Sequence, residues 1–222
     1  MLKVWVGVAA ALMAGACSTV GVRSGTEEPA YQAVARVGDL EIRRYGERIA
    51  AQTVVTGDDA EARNAGFQKL AGYIFGGNDR RMSIAMTAPV AQSGDPVTGS
   101  ERISMTAPVA QTPSGPDRWT VQFFMPAAYS IETLPVPRDP AVQLVVVPAE
   151  TYAVLTFSGA SSARVVDART ADLLSGLAGS GWSPRAEPVA WFYDPPWTIP
   201  TFRRNEVAVR VERTNAAATR AD

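Results

Sequence analysis

Apolar positions alternate with polar ones from Tyr31 onward, and twice the alternation gives way to a helical period. In GDLEIRRYGERIAAQTVVTG (38–57), Leu40, Ile42, Ile49, Val54 and Val55 carry strand character. Asp58 or Asp59 stands where a helix cap belongs. Phe67, Leu70, Ala71 and Ile74 then recur at i, i+3, i+4 and i+7, the narrow stripe of a helix with one buried flank. Gly76-Gly77 stops it, and WTVQFFMP (119–126) reads as another strand. The second half repeats this order. VQLVVVPAETYAVLTFSG (142–159) is strand-like, and Ser161 or Ser162 can cap a helix whose stripe is Val166, Thr170, Leu173, Leu174 and Leu177. Gly179 to Gly181 end that helix, and VAWFYDPP (189–196) and NEVAVRVE (205–212) supply closing strands. A strand–helix–strands scheme thus appears twice. Two one-faced sheets with one helix each pack most economically as a single curved sheet or open barrel with both helices outside, an α+β fold.

One stretch is said twice. IAMTAPVAQ (84–92) and ISMTAPVAQ (103–111) agree at eight of nine places. In strand geometry Ile84, Met86 and Ala88 share one face, and Pro89 and Pro108 favour strand ends. SGDPVTGSE (93–101) between the copies is rich in turn formers, so the pair predicts a hairpin. Met86 and Met105 read as lining of a core or groove, because methionine fills irregular gaps.

Composition narrows the chemistry. The 222 residues hold 21 basic and 22 acidic side chains, a formal net charge of −1, without the basic footprint of a nucleic-acid binder. There is no histidine, which excludes a Ser-His-Asp triad, an HExxH zinc site and a His-ligated haem within the chain. The single cysteine, Cys17, excludes an internal disulfide. Lys3, the apolar run Val4–Ala14 and Gly15-Ala16-Cys17 read as a secretory signal over residues 1–17 with a lipobox-like end. Cys17 is then the lipidation site, and 18–30 is a polar tether. Ser18 after the cysteine points to the outer membrane, facing the periplasm. The folded domain is expected over 31–213, and TNAAATRAD (214–222) as a disordered tail.

YIFGGND (73–79), the doubled MTAPV, WTVQFFMP, ETLPVP (132–137), FSG (157–159), YDPP (193–196) and RRNEV (203–207) follow one another in an order that resembles the SOUL haem-binding family, over about residues 31–213. The resemblance implies a twisted β-barrel of two βαββ-like halves with flanking helices, and it extends to the ligand-binding domain of GyrI-like regulators. It implies non-enzymatic binding of haem or a related tetrapyrrole in a shallow apolar groove beside the first helix. The partner is thus a small hydrophobic anion, and the protein an envelope carrier or buffer. The implied groove residues are Phe67, Leu70, Ala71, Met86, Met105, Tyr193 and Trp197, with Arg203 and Arg204 as cations. Asn64, Gly72 and Thr198 stand where haem-binding members carry basic residues. Arg63 and Lys69 are further cations near the groove.

Without histidine, the candidate iron ligands are a Met thioether, from Met86 or Met105, and phenolate from Tyr73 or Tyr193. Contact alone, over about 400 Å² at about 25 cal/mol/Å², gives roughly 10 kcal/mol before association costs, against about 8 kcal/mol net for micromolar affinity. Other readings stay open. RRNEV either offers two arginines to an anion or pairs them with Glu206. GyrI-like relatives suggest a hydrolase, for which a buried glutamate of raised pKa is the mark. A lipoprotein with a plugged groove and an interaction role is the third.

Overall fold

A computed structural model describes residues 26–80, 99–195 and 197–214. The first copy of the repeated motif, with Met86, and the signal and tether through residue 25, with Cys17, lie outside the described residues, as do 215–222.

The strands are β1 (Tyr31–Val37), β2 (Leu40–Tyr45), β3 (Arg48–Thr56), β4 (Asn78–Asp79), β5 (Val109–Gly115), β6 (Arg118–Phe124), β7 (Val136–Pro137), β8 (Gln143–Val147), β9 (Glu150–Phe157), β10 (Trp182–Pro184), β11 (Val189–Phe192) and β12 (Asn205–Arg213). The helices are α1 (Asp59–Ile74) and α2 (Ala163–Leu177). Ten strands form one antiparallel sheet in the order β1-β2-β9-β12-β11-β5-β6-β3-β8, with β10 on β12, while β4 and β7 pair separately.

That order is symmetric about the β11–β5 pair. One unit runs β2-β3-α1-β5-β6 and the other β8-β9-α2-β11-β12. Each unit gives its leading strand away: β2 pairs with β9, and β8 pairs with β3. Only Gly46-Glu47 joins β2 to β3, and only Pro148-Ala149 joins β8 to β9. On a flat sheet β2 and β3 would stand about 29 Å apart at about 4.8 Å per strand. The chain from Tyr45 to Arg48 spans at most about 11 Å. The sheet must therefore roll up, and its two ends meet on the inner face.

The outer face carries the helices. α1 lays Ala62, Leu70, Tyr73 and Ile74 on Ala51, Val55, Val121 and Phe123 of β3 and β6. A Cβ at Gly66 would come within 2.5 Å of the Val121 side chain, so glycine is what lets α1 sit this close to β6. Asp58 caps α1, its Oδ1 accepting from the N–H groups of Ala60 (2.9 Å) and Glu61 (2.8 Å). α2 packs Leu173 and Leu177 on Leu40, Ile42, Val207, Val209 and Val211. Leu174, expected in that stripe, is exposed: it follows Leu173 by one residue, a turn of 100° that carries it off the sheet.

The repeated motif also departs from expectation. Within the second copy, β5 begins only at Val109. Ile103 is fully buried, and its N–H bonds the Ile74 carbonyl at the end of α1. Thr106 forms an isolated bridge with Glu27, and its hydroxyl donates to the Phe124 carbonyl. The segment Ile103–Pro108 is thus an irregular plug closing the end of the core, with a cis Ala107–Pro108 bond.

Candidate functional site

Residues named from the sequence fall on both faces of the sheet. On the outer face, Val109 of β5 stands in register with Phe192 of β11 on one side and Phe123 of β6 on the other. Two side chains one turn apart on α1 lie over the ends of this row. The Arg63 guanidinium is 4.3 Å from the Phe192 ring centroid, and Phe67 meets Phe123 edge-on at 5.4 Å. Phe67 and Ala71 are half-buried on this flank, whereas Leu70 is fully buried in the core.

Beyond Phe192 the chain makes a turn, Trp197 to Arg203, that ends in a short 3₁₀ segment, Pro200–Phe202. Arg203 Nε donates to the Thr198 carbonyl at 2.7 Å and ties the turn together. Three large apolar side chains stand out from it: Trp197 is 64% exposed, Ile199 46% and Phe202 52%. Arg63 lies near enough to Arg203 for its pKa to fall, first from burial and then from the Arg203 charge, against the pull of Asp59. Apolar surface of this density beside two cations is uncommon on a polar surface. Met105, also exposed, belongs to the plug after α1.

Tyr193 and Arg204 turn the other way, into the rolled sheet. Glu206 on β12 is fully buried and saturated with partners. Its Oε2 accepts from Arg43 Nη1 (2.9 Å) and from the Tyr193 hydroxyl (2.7 Å). Its Oε1 accepts from Thr156 Oγ1 (3.1 Å) and from Arg204 Nη2 (3.0 Å). Arg204 also reaches both Glu28 oxygens and lies 3.8 Å over the Tyr193 ring. Burial alone would raise the Glu206 pKa, but the Arg43 hydrogen bond and charge, Tyr193 and Arg204 outweigh it and hold the carboxyl below its usual range. Burial and the Glu206 carboxylate push the Tyr193 phenol far up, so it is a fixed proton donor and an unfavourable phenolate. Tyr73 is equally committed, its hydroxyl donating to the Pro135 carbonyl at 2.9 Å. Of the two readings of RRNEV, Arg204 follows the ion pair with Glu206.

Where the rolled ends meet, four rings cluster. Tyr45 lies 5.3 Å from Tyr31, 6.0 Å from Tyr152 and 5.7 Å from Trp191, and Tyr152 lies 5.3 Å from Trp191. Arg48 stands among them, 4.5 Å over Tyr45, 4.8 Å over Phe124 and 5.9 Å over Tyr152. This cluster leaves no sign in the sequence, because a charged residue opening a strand reads as solvent-facing. Among the described residues, no group of three or more Cys, Asp or Glu side chains is arranged to hold a metal ion.

Comparison with known proteins fits this architecture. The mouse protein described as heme-binding protein 2 is 37% identical over 87 residues, 35% of this chain and 42% of its own length. This chain thus matches less than half of that relative. Among solved structures, the EcmrR C-terminal domain superposes with a TM-score of 0.51 at 12% identity, over 83% of this chain and 99% of that one. A hydrolase from Listeria innocua gives 0.52 at 16% identity, over 78% and 91%. At such identities these two likenesses establish the fold alone. The profile of the SOUL heme-binding proteins matches residues 26–101 and 93–210, and with most of its length so matched, this chain belongs to the SOUL heme-binding protein family.

Proposed function

We propose that this protein binds haem or a related tetrapyrrole on its outer face, where α1 meets the turn Trp197–Arg203. It holds the ligand without transforming it. The observation that carries this reading is the exposed triad Trp197, Ile199 and Phe202 beside Arg203 and Arg63, on a chain of the SOUL family. The apolar side chains offer contact to a flat macrocycle, and the two cations suit propionates. Phe67 and Ala71 form the α1 wall. Grip then comes from surface contact, and the affinity is moderate, in the micromolar range.

The buried glutamate does not favour the hydrolytic alternative. Glu206 is held as a carboxylate by two arginines and a phenol, whereas a general acid needs a raised pKa. The role we infer is that of an envelope carrier or buffer, tethered by lipid on Cys17 to the outer membrane and facing the periplasm. Loss of fatty-acid incorporation in Cys17→Ala tests the anchor.

Titration of residues 18–222 with haem and with metal-free protoporphyrin, followed by tryptophan quenching, tests the ligand. Affinities within a few-fold of each other are expected, with Phe67→Asp and Trp197→Ala each weakening both about tenfold. No quenching by either porphyrin removes the reading. A strong preference for iron replaces contact with ligation, for which Met105 or Met86 is then the place to look.

A further inference from the structure

The Arg48 side chain is only 9% exposed, yet Nε, Nη1 and Nη2 are all buried without a hydrogen-bond partner. A buried guanidinium with idle donors is costly, because its lost hydration is not replaced. The neighbouring charges do not supply the deficit. Glu150 Oε2 stands 3.7 Å from Arg48 Nη2, beyond hydrogen-bond reach. The same carboxylate accepts from the Tyr152 hydroxyl (2.6 Å) and from Arg210 Nη1 (3.2 Å). Glu28, the other acid nearby, is engaged by Arg204. Arg48 faces a small cavity lined by Glu28, Pro29, Tyr31, Pro108 and Trp191, with about 10 Å³ of free space, room for one water.

We propose that Arg48 and the rings around it form a binding site for a small aromatic carboxylate. The carboxylate takes the idle guanidinium fork, and the planar body lies against Tyr31, Pro108 and Trp191 in the space that Glu28 and Pro29 vacate. The ligand enters by displacing the segment Glu27–Ala30, just before β1, whose Glu28 and Pro29 cover the cavity from outside. That cover is held by few bonds: Ala107 N–H to the Glu27 carbonyl (3.0 Å), Ala127 N–H to Glu27 Oε1 (2.7 Å), and the Glu28–Arg204 pair. The site lies on the inner face, opposite the proposed porphyrin surface, and does not rest on that reading.

Calorimetric titration of residues 18–222 with benzoate, and with benzamide as its neutral isostere, tests the proposal. Benzoate is expected to bind at least tenfold more tightly than benzamide. Arg48→Leu is expected to lose that preference while melting at the same temperature or higher, since it removes a buried cation whose donors make no hydrogen bond. Glu28→Gln, which loosens the cover, is expected to tighten benzoate several-fold. Equal binding of benzoate and benzamide, or benzoate binding unchanged in Arg48→Leu, overturns the proposal. Should Arg48→Leu fail to fold, Arg48→Lys decides instead: it keeps the charge but loses the fork, so several-fold weaker binding supports the site and unchanged binding overturns it.

Discussion

The two units share a plan and differ in what they place inside. The unit containing α1 lines the inner face with Ala50, Ala110, Phe124, a cation, Arg48, and a neutral pair, Gln122 Nε2 donating to Gln52 Oε1 at 3.0 Å. The strands around α2 line it with Arg43, Glu206, Tyr193, Tyr152 and Trp191. Outside, the contrast reverses. α1 buries four side chains, Ala62, Leu70, Tyr73 and Ile74, together with Gly66, while α2 buries only Leu173 and Leu177. A repeated backbone plan therefore does not require repeated chemistry. One unit is stabilised mainly by an apolar helix face, the other by a saturated network of charges.

This contrast can be broken by substitution. Glu206→Leu strands Arg43, Arg204 and the Tyr193 hydroxyl, and about 3–5 kcal/mol of stability is expected to go in urea unfolding. Gln122→Leu at the neutral pair is expected to cost only about 1 kcal/mol, and equal costs would abolish the distinction. The pH dependence sharpens it. Because Glu206 is held below its unfolded value of about 4.3, its contribution is complete above that pH. It is lost as pH falls through the lower native value. Denaturation midpoints measured from pH 6 down to pH 3 should therefore fall less steeply in Glu206→Gln than in the parent.

The helices come next. Leu70→Ala is expected to cost about 2–5 kcal/mol, and Leu174→Ala on the exposed flank of α2 less than about 0.5 kcal/mol, both by chemical unfolding. The smallest effect lies at the caps. Asp58→Ala should cost about 1 kcal/mol, whereas Ser162→Ala should cost a few tenths at most, since the Ser162 side chain makes no capping bond.

Local signals carried much of this architecture. The Asp58 cap, the stripe through Leu70 and Ile74, the glycine stops and the strands around Val121, Trp191 and Val207 are set by neighbours in sequence, where periodicity can see them. The exchange of β2 and β8 could not be read, because pairing partners more than ninety residues apart leave no local trace. β10, three residues with Trp182 as its apolar side chain, owes its form to β12, the strand it joins. The motif at Ile103–Pro108 shows an alternating pattern, but its Thr106 and Ile103 bonds go to the ends of other elements instead of a ladder. Of the proposed outer surface, Phe67, Trp197 and Arg203 were named from the sequence. The inner one was not, since the burial of Arg48 depends on the rolling of the whole sheet.

That rolling has a further consequence. Because β2 completes the α2 unit and β8 completes the α1 unit, neither half is a spare part. A chain cut between Pro126 and Pro137 would give two pieces, each with a missing edge and a surplus strand. Such pieces should assemble only with one another, so an ancestral single repeat would have had to work as a pair of chains before the two were joined.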